Sequence, residues 1–181
     1  MDIQSKIVGE IATMSVEELK ERLTRYMLAD ESQKKRIVAI EVRSLVPSDR
    51  SGRYQVLLIQ EDGTETEVKF RDRYSRLIYI YTLLHPEGYQ RRMLKSNNYQ
   101  SLRQLYSKIY LKSAESLLKT IGDDYEHFFS QAVAQSRVAI RNACPCASDC
   151  IIAQPQKYNG KTIIPFAINS NHVILDNSLS I

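Results

Sequence analysis

The chain has 181 residues, of which 43% are apolar and 25% charged, an ordinary globular usage that excludes a wholly disordered chain and supports a core of normal size. Lysine and arginine exceed aspartate and glutamate by 25 to 21, a net charge of +4; so mild an excess permits nucleic-acid binding without demanding it. No apolar run approaches the ~18 residues of a membrane span, and the opening residues lack a basic stretch followed by an apolar one, so neither membrane contact nor a secretory signal is expected and a cytoplasmic location follows.

Along the chain, Ile3, Ile7 and Ile11 with Val8 are spaced for a first short helix. Ser15-Val-Glu-Glu18 is a capping box, followed by Val16, Leu19, Leu23, Tyr26 and Met27 at helical spacing. The pattern predicts a helix over about Val16–Ala29, and residues 30–35 read as a polar connector. Residues 1–35 therefore form an N-terminal helical segment, and residues 36–181 a single domain.

From Arg36 the period changes. Ile37–Val46 is rich in β-branched residues and reads as a strand. Pro47–Gly52 is turn chemistry, Arg53–Gln60 a second strand, Asp62-Gly63 a hairpin signal, and Thr64–Phe70 a third strand. Three antiparallel strands in a row make a meander, whose apolar face needs a helical layer.

Leu77, Ile78, Tyr81 and Leu84 mark a helix that Pro86 ends. Leu102, Leu105, Tyr106 and Ile109 mark a second. Leu111–Ile121 either extends it or forms a further short helix, closed by Gly122. Asp123-Asp124 caps the longest helix, about Tyr125–Ala143, which Pro145 terminates. Strand-like residues then return at Ile151–Ile152, Thr162–Ile168 and Asn171–Leu175, with a tight turn expected at Asn159-Gly160. The predicted class is α+β: an N-terminal helix, an antiparallel three-stranded meander, a core of three to four helices and a C-terminal β-hairpin.

On a wheel at about 100° per residue, Phe129, Ala132, Val133, Ser136 and Ile140 share one apolar stripe. The opposite face carries Ser130, Gln131, Ala134, Arg137, Val138 and Arg141, with Gln135 at its margin and no carboxylate. Glutamine can bond adenine and arginine guanine through paired hydrogen bonds, and small side chains allow close approach to a groove. An amphipathic helix with a mixed polar face is also the commonest kind of surface helix, and Asp123, Asp124 and Glu126 at its start would repel phosphates. Lys157, Tyr158 and Lys161 sit near the hairpin tip. Arg91, Arg92 and Lys95 form a basic cluster, and Arg71, Arg73 and Arg76 another; such clusters are either phosphate contacts or merely solvated faces.

Cys144, Cys146 and Cys150 are too few and too closely spaced for a disulfide framework, and their spacing is not that of zinc knuckles. The three histidines, His85, His127 and His172, are scattered. With no nucleophile or acid–base constellation, the chain is expected to be no enzyme and to need no cofactor. The tyrosines of the helical part read as half-buried packing residues whose hydroxyls reach water, or as an aromatic interaction surface.

The stretches Val68–Gly88, where a strand feeds a helix that ends in a short turn, and Phe129–Asn142 carry a resemblance to the winged-helix effector domain of OmpR/PhoB-type response regulators. The resemblance covers about Arg53–Leu175 and is one of element order. It implies a regulatory protein bound to double-stranded DNA, with the Phe129–Asn142 helix in the major groove and the Ile151–Ile168 hairpin as wing. Ser130, Gln131, Ala134, Arg137, Val138, Arg141, Lys157, Tyr158, Lys161, Arg91, Arg92 and Lys95 would then be the DNA-binding residues. Removing Arg137 and Arg141 together is expected to weaken binding without lowering the melting temperature. Two departures stand out: only residues 1–52 precede the module, with no receiver domain, so phosphorylation is not expected as the trigger; and Leu111–Ile121 lengthens the connection before the third helix. The alternative is a protein-interaction module on the same fold, with the Val16–Ala29 helix as a homodimer or docking element.

Overall fold

A computed structural model describes residues 15–21, 36–45, 52–153, 157–158, 161–162, 167–168 and 172–179. The chain divides into two units, residues 1–35 and 36–181.

In the first unit, residues 16–21 are helical. The capping box forms as the sequence implies. The Ser15 amide donates to Glu18 Oε2 at 3.0 Å and the Glu18 amide to Ser15 Oγ at 3.2 Å. The backbone and hydroxyl bonds to Ser15 hold the Glu18 carboxyl below its ordinary pKa. The expected continuation to Ala29, the earlier short helix and the dimer contact fall outside the described residues.

The second unit is α+β. Strands β1 (Ile37–Ser44), β2 (Tyr54–Gln60) and β3 (Glu65–Glu67) run as the expected meander. Ile40 faces Leu58 and Val42 faces Val56 across the ladder, and all four are buried in the core. The alternate positions carry Glu41, Arg43 and Gln55 on the other face, where Arg43 bonds Glu41 and Glu65, each at 2.8 Å. The period-two division is that of an antiparallel sheet, and it is incomplete: Ala39 and Leu57 at the alternate positions are buried as well. β3 is shorter than the Thr64–Phe70 expectation; the buried Val68 still donates its amide to the Val56 carbonyl at 2.9 Å, and Phe70 packs against the core just before the next helix begins.

The sheet has one strand more than a meander. Between them the Lys157–Tyr158 strand (β4) and the Lys161–Thr162 strand (β5) form an antiparallel pair, and the last strand, β6 (Val173–Leu175), joins the main sheet instead of this hairpin. β6 lies parallel to β1, giving a mixed sheet of order β3-β2-β1-β6. The edge of β1 would otherwise expose unpaired backbone groups; here the Ile40 amide donates to the His172 carbonyl and the Asp176 amide to the Val42 carbonyl, both at 3.0 Å. Sequence alone could not assign this partner, since a three-residue strand has no period of its own.

Helix α1 (Arg73–Leu83) starts at Asp72, whose carboxylate accepts the amides of Tyr74 and Ser75 at 2.9 and 2.8 Å. Every residue from Leu77 to Leu83 is buried; a helix enclosed on all sides reads as central, not amphipathic. Short α2 (Arg91–Ser96) was legible only as a basic cluster, because Leu94 is its single buried residue and Gln90 supplies no side-chain cap. In α3 (Gln100–Tyr110), Leu102, Leu105, Tyr106 and Ile109 are buried as their spacing implies. Leu111 then takes a left-handed conformation, φ 51°, so the chain breaks and α4 (Glu115–Ile121) is a separate helix. α5 (Tyr125–Ala143) packs along α1.

The tyrosines knit these layers together. Tyr79, Tyr81 and Tyr106 are buried. Their hydroxyls reach protein partners: the Cys150 carbonyl at 2.7 Å, Ser101 at 2.8 Å and Ser116 at 3.0 Å. Burial pushes the Tyr79 hydroxyl well above its usual pKa, so it stays a donor. Among the described residues no helix is long and apolar enough to cross a membrane.

Candidate nucleic-acid interface

α5 is built from its first turn. Asp124 Oδ1 accepts the His127 amide at 3.0 Å, satisfying one of the donors a helix start leaves open. Phe128, Phe129, Ala132, Val133, Ser136, Ala139 and Ile140 are buried, a stripe at spacings of three and four residues. Phe129 anchors it, with Phe128 at 5.3 Å, Tyr99 at 6.4 Å and Tyr89 at 6.5 Å between ring centroids. The one polar member, Ser136, donates its hydroxyl to the Val133 carbonyl at 2.8 Å, which meets the requirement that a buried hydroxyl find a partner. Cys144 leaves the helix in an extended conformation ahead of Pro145.

Opposite that stripe, Ser130, Gln131, Ala134, Val138 and Arg141 are exposed and Gln135 is half-buried. His127 and Asn142 are exposed as well, and sequence reasoning missed both. His127, Gln131, Ala134, Val138 and Arg141 succeed one another at four, three, four and three residues, a continuous row on one helix face; that spacing was the signal available. The row carries no carboxylate.

One margin of the row is tied to the rest of the unit. At the helix start, Arg91 Nη1 donates to Glu126 Oε2 at 2.7 Å, to the Glu126 carbonyl at 3.1 Å and to Ser130 Oγ at 3.1 Å. Its guanidinium lies 5.8 Å from the Phe129 ring centre, and its side chain is only 12% exposed. Arg91 is thus a brace between α2 and α5, and its charge is spent on Glu126. The same contacts meet part of the sequence-level objection that the helix entrance is acidic: Glu126 is paired in place, whereas Asp123 and Asp124 stand exposed there. Lys95 Nζ lies 4.4 Å from the Tyr125 ring centre, and Arg92 is exposed on the same short helix.

Two turns further on, Arg137 Nε donates to the Ile152 carbonyl at 2.9 Å. The residue is half-buried, and burial first, then the Arg141 charge, lower its pKa. Arg137 therefore holds the chain that leaves for the β4–β5 hairpin, while Arg141, one turn away, is exposed. The sequence treated these two arginines alike; the structure separates them. Ile152 bridges to Ile168 in antiparallel fashion, and Lys157, Tyr158 and Lys161 lie in the paired strands beyond. The structure describes only the backbone of those three.

The remaining sequence-level candidates lie elsewhere. Arg73 donates to the Tyr74 hydroxyl at 2.8 Å, Arg76 lies 5.9 Å from the Phe70 ring centre, and Arg71 is exposed. Cys144 and Cys150 are buried and Cys146 half-buried; the Cys144 and Cys146 sulfurs are 2.7 Å apart. Burial, reinforced by Asp149, pushes the Cys150 thiol up to about 12. Among the described residues no three or more His, Cys, Asp or Glu side chains are grouped to hold a metal ion. An open depression of about 760 Å³ is lined by Asn97, Gln100, Arg103, Gln104, Ser107 and Ser113, among others.

The chain matches no protein-family model, no curated protein and no solved structure.

Proposed function

We propose that residues 53–175 act as a winged-helix DNA-binding module of a regulatory protein, with α5 in the major groove and the β4–β5 hairpin as wing. The observation that carries this reading is the exposed row on α5. It is long, free of carboxylates and rich in groups that suit base edges, and Glu126 beside it is paired to Arg91. A major groove admits a helix of this kind, and glutamine and arginine are its common readers. Arg141, Arg92 and the hairpin lysines supply backbone charge in this reading, whereas Arg91 and Arg137 hold the frame. The mild net charge implies few phosphate contacts and a shallow salt dependence.

The test is fluorescence anisotropy of labelled duplex DNA with the full chain over a salt series. Affinity that falls as salt rises is expected. Absence of binding at low salt, or affinity indifferent to salt, rejects the reading and leaves the fold as a protein-interaction module. The exposed Met93, Leu111 and Val138 are the observation that would then favour that second reading.

A further inference from the structure

Val138 is the informative member of the row. It is 49% exposed, and among the described residues it is the large hydrophobic of α5 that the fold leaves open. A β-branched residue is a poor choice for a solvated helix face, since it lowers helix propensity and gains nothing from burial. One turn before it stands exposed Ala134, and exposed Gln131 and Arg141 flank the pair. The centre of the row is therefore apolar and its two ends carry hydrogen-bonding groups.

The major groove presents one apolar target, the C5-methyl of thymine. Gln131 and Val138 are seven positions apart on one face, roughly 10 Å along the helix axis, or about three base steps. We infer that, within the DNA-binding reading on which this rests, Val138 with Ala134 selects thymine by its methyl group, next to a polar base edge met by Gln131. Val138 would then be a specificity-determining residue, while phosphate contacts supply the sequence-independent part of the affinity.

Two pools of duplexes with a randomised centre test this, one made with thymine and one with uracil replacing thymine throughout. The full chain is expected to enrich a motif with a fixed thymine from the first pool. The same motif rebuilt with uracil should bind about fourfold more weakly per contacted methyl. V138S should remove most of that difference while keeping its melting temperature and its salt-dependent binding to the pool. V138T, which retains one methyl, should preserve it. Salt-dependent binding with equal affinity for the thymine and uracil forms overturns the inference and leaves the DNA-binding reading standing. A thymine preference that V138S leaves intact also overturns it, because another residue then reads the methyl. No binding to either pool overturns both.

Discussion

Arg137 and Arg141 lie one turn apart on the same helix, yet the structure gives them opposite situations. Arg137 is half-buried and bonded to the Ile152 carbonyl, whereas Arg141 is exposed. The same division runs along the whole helix: a braced margin holds Glu126, Ser130 and Arg137, and an open row holds Gln131, Ala134, Val138 and Arg141. The lesson is that a cation's place on a helical wheel does not say whether its charge is available. A neighbouring element settles that by supplying or withholding an acceptor.

The contrast can be broken most severely from beneath. Phe129→Ala removes the fully buried ring on which the Arg91 guanidinium rests; a cost of roughly 3–5 kcal/mol is expected, read as a loss of midpoint in chemical denaturation. Any DNA binding should disappear with it. The two arginines should then part company. Arg137→Ala leaves the Ile152 carbonyl without its donor and should cost about 1–3 kcal/mol of stability. Arg141→Ala should change stability by no more than about 0.5 kcal/mol but lower the salt slope of DNA binding by about one. The double substitution will therefore lower the melting temperature, against the sequence-level expectation, and all of the loss should be traceable to Arg137. Equal stability of the two single variants would erase the distinction between margin and row.

A smaller effect sharpens the braced side. Glu126→Gln removes the carboxylate at the helix entrance and releases the Arg91 charge. DNA affinity at low salt should rise by a factor of about two to five, and the gain should vanish as salt screens it. Unchanged affinity would mean that the entrance stays clear of phosphates. The smallest effect lies away from the helix, at the tie between β6 and β1. Hydrogen bonds from the Ser178 hydroxyl and amide and from Ser44 hold the Asp176 pKa down to about 2 from its ordinary 3.8. Because the folded value is the lower one, the contribution is present above 3.8 and is lost as pH falls through about 2. Asp176→Asn should flatten that part of an acid denaturation profile and leave neutral-pH DNA binding unchanged.

Much of the framework is legible in the amino-acid sequence. The capping box at Ser15, the Asp62-Gly63 hairpin, the buried spacing of α3 and the extent of α5 all rest on interactions within a few residues, which local sequence encodes directly. The buried stripe of α5 follows from its period, and so does the exposure of Gln131, Ala134, Val138 and Arg141. What is not legible depends on partners distant in sequence. The parallel pairing of β6 with β1 joins residues more than a hundred positions apart, the tyrosine hydroxyls find acceptors on other elements, and Arg91 reaches Glu126 across an intervening pair of helices in the chain.

The sequence by itself determined an α+β chain whose longest helix is apolar on one side and polar, without carboxylates, on the other, because periodicity and capping are local properties. Only the tertiary structure decided which of that helix's cations are free, since this depends on acceptors that other elements bring within hydrogen-bond distance. Arg137 became a tether to the hairpin and Arg91 a brace at the entrance, while Val138 and Arg141 stayed open. That sorting, not the composition of the face, is what confines the candidate interface to one row.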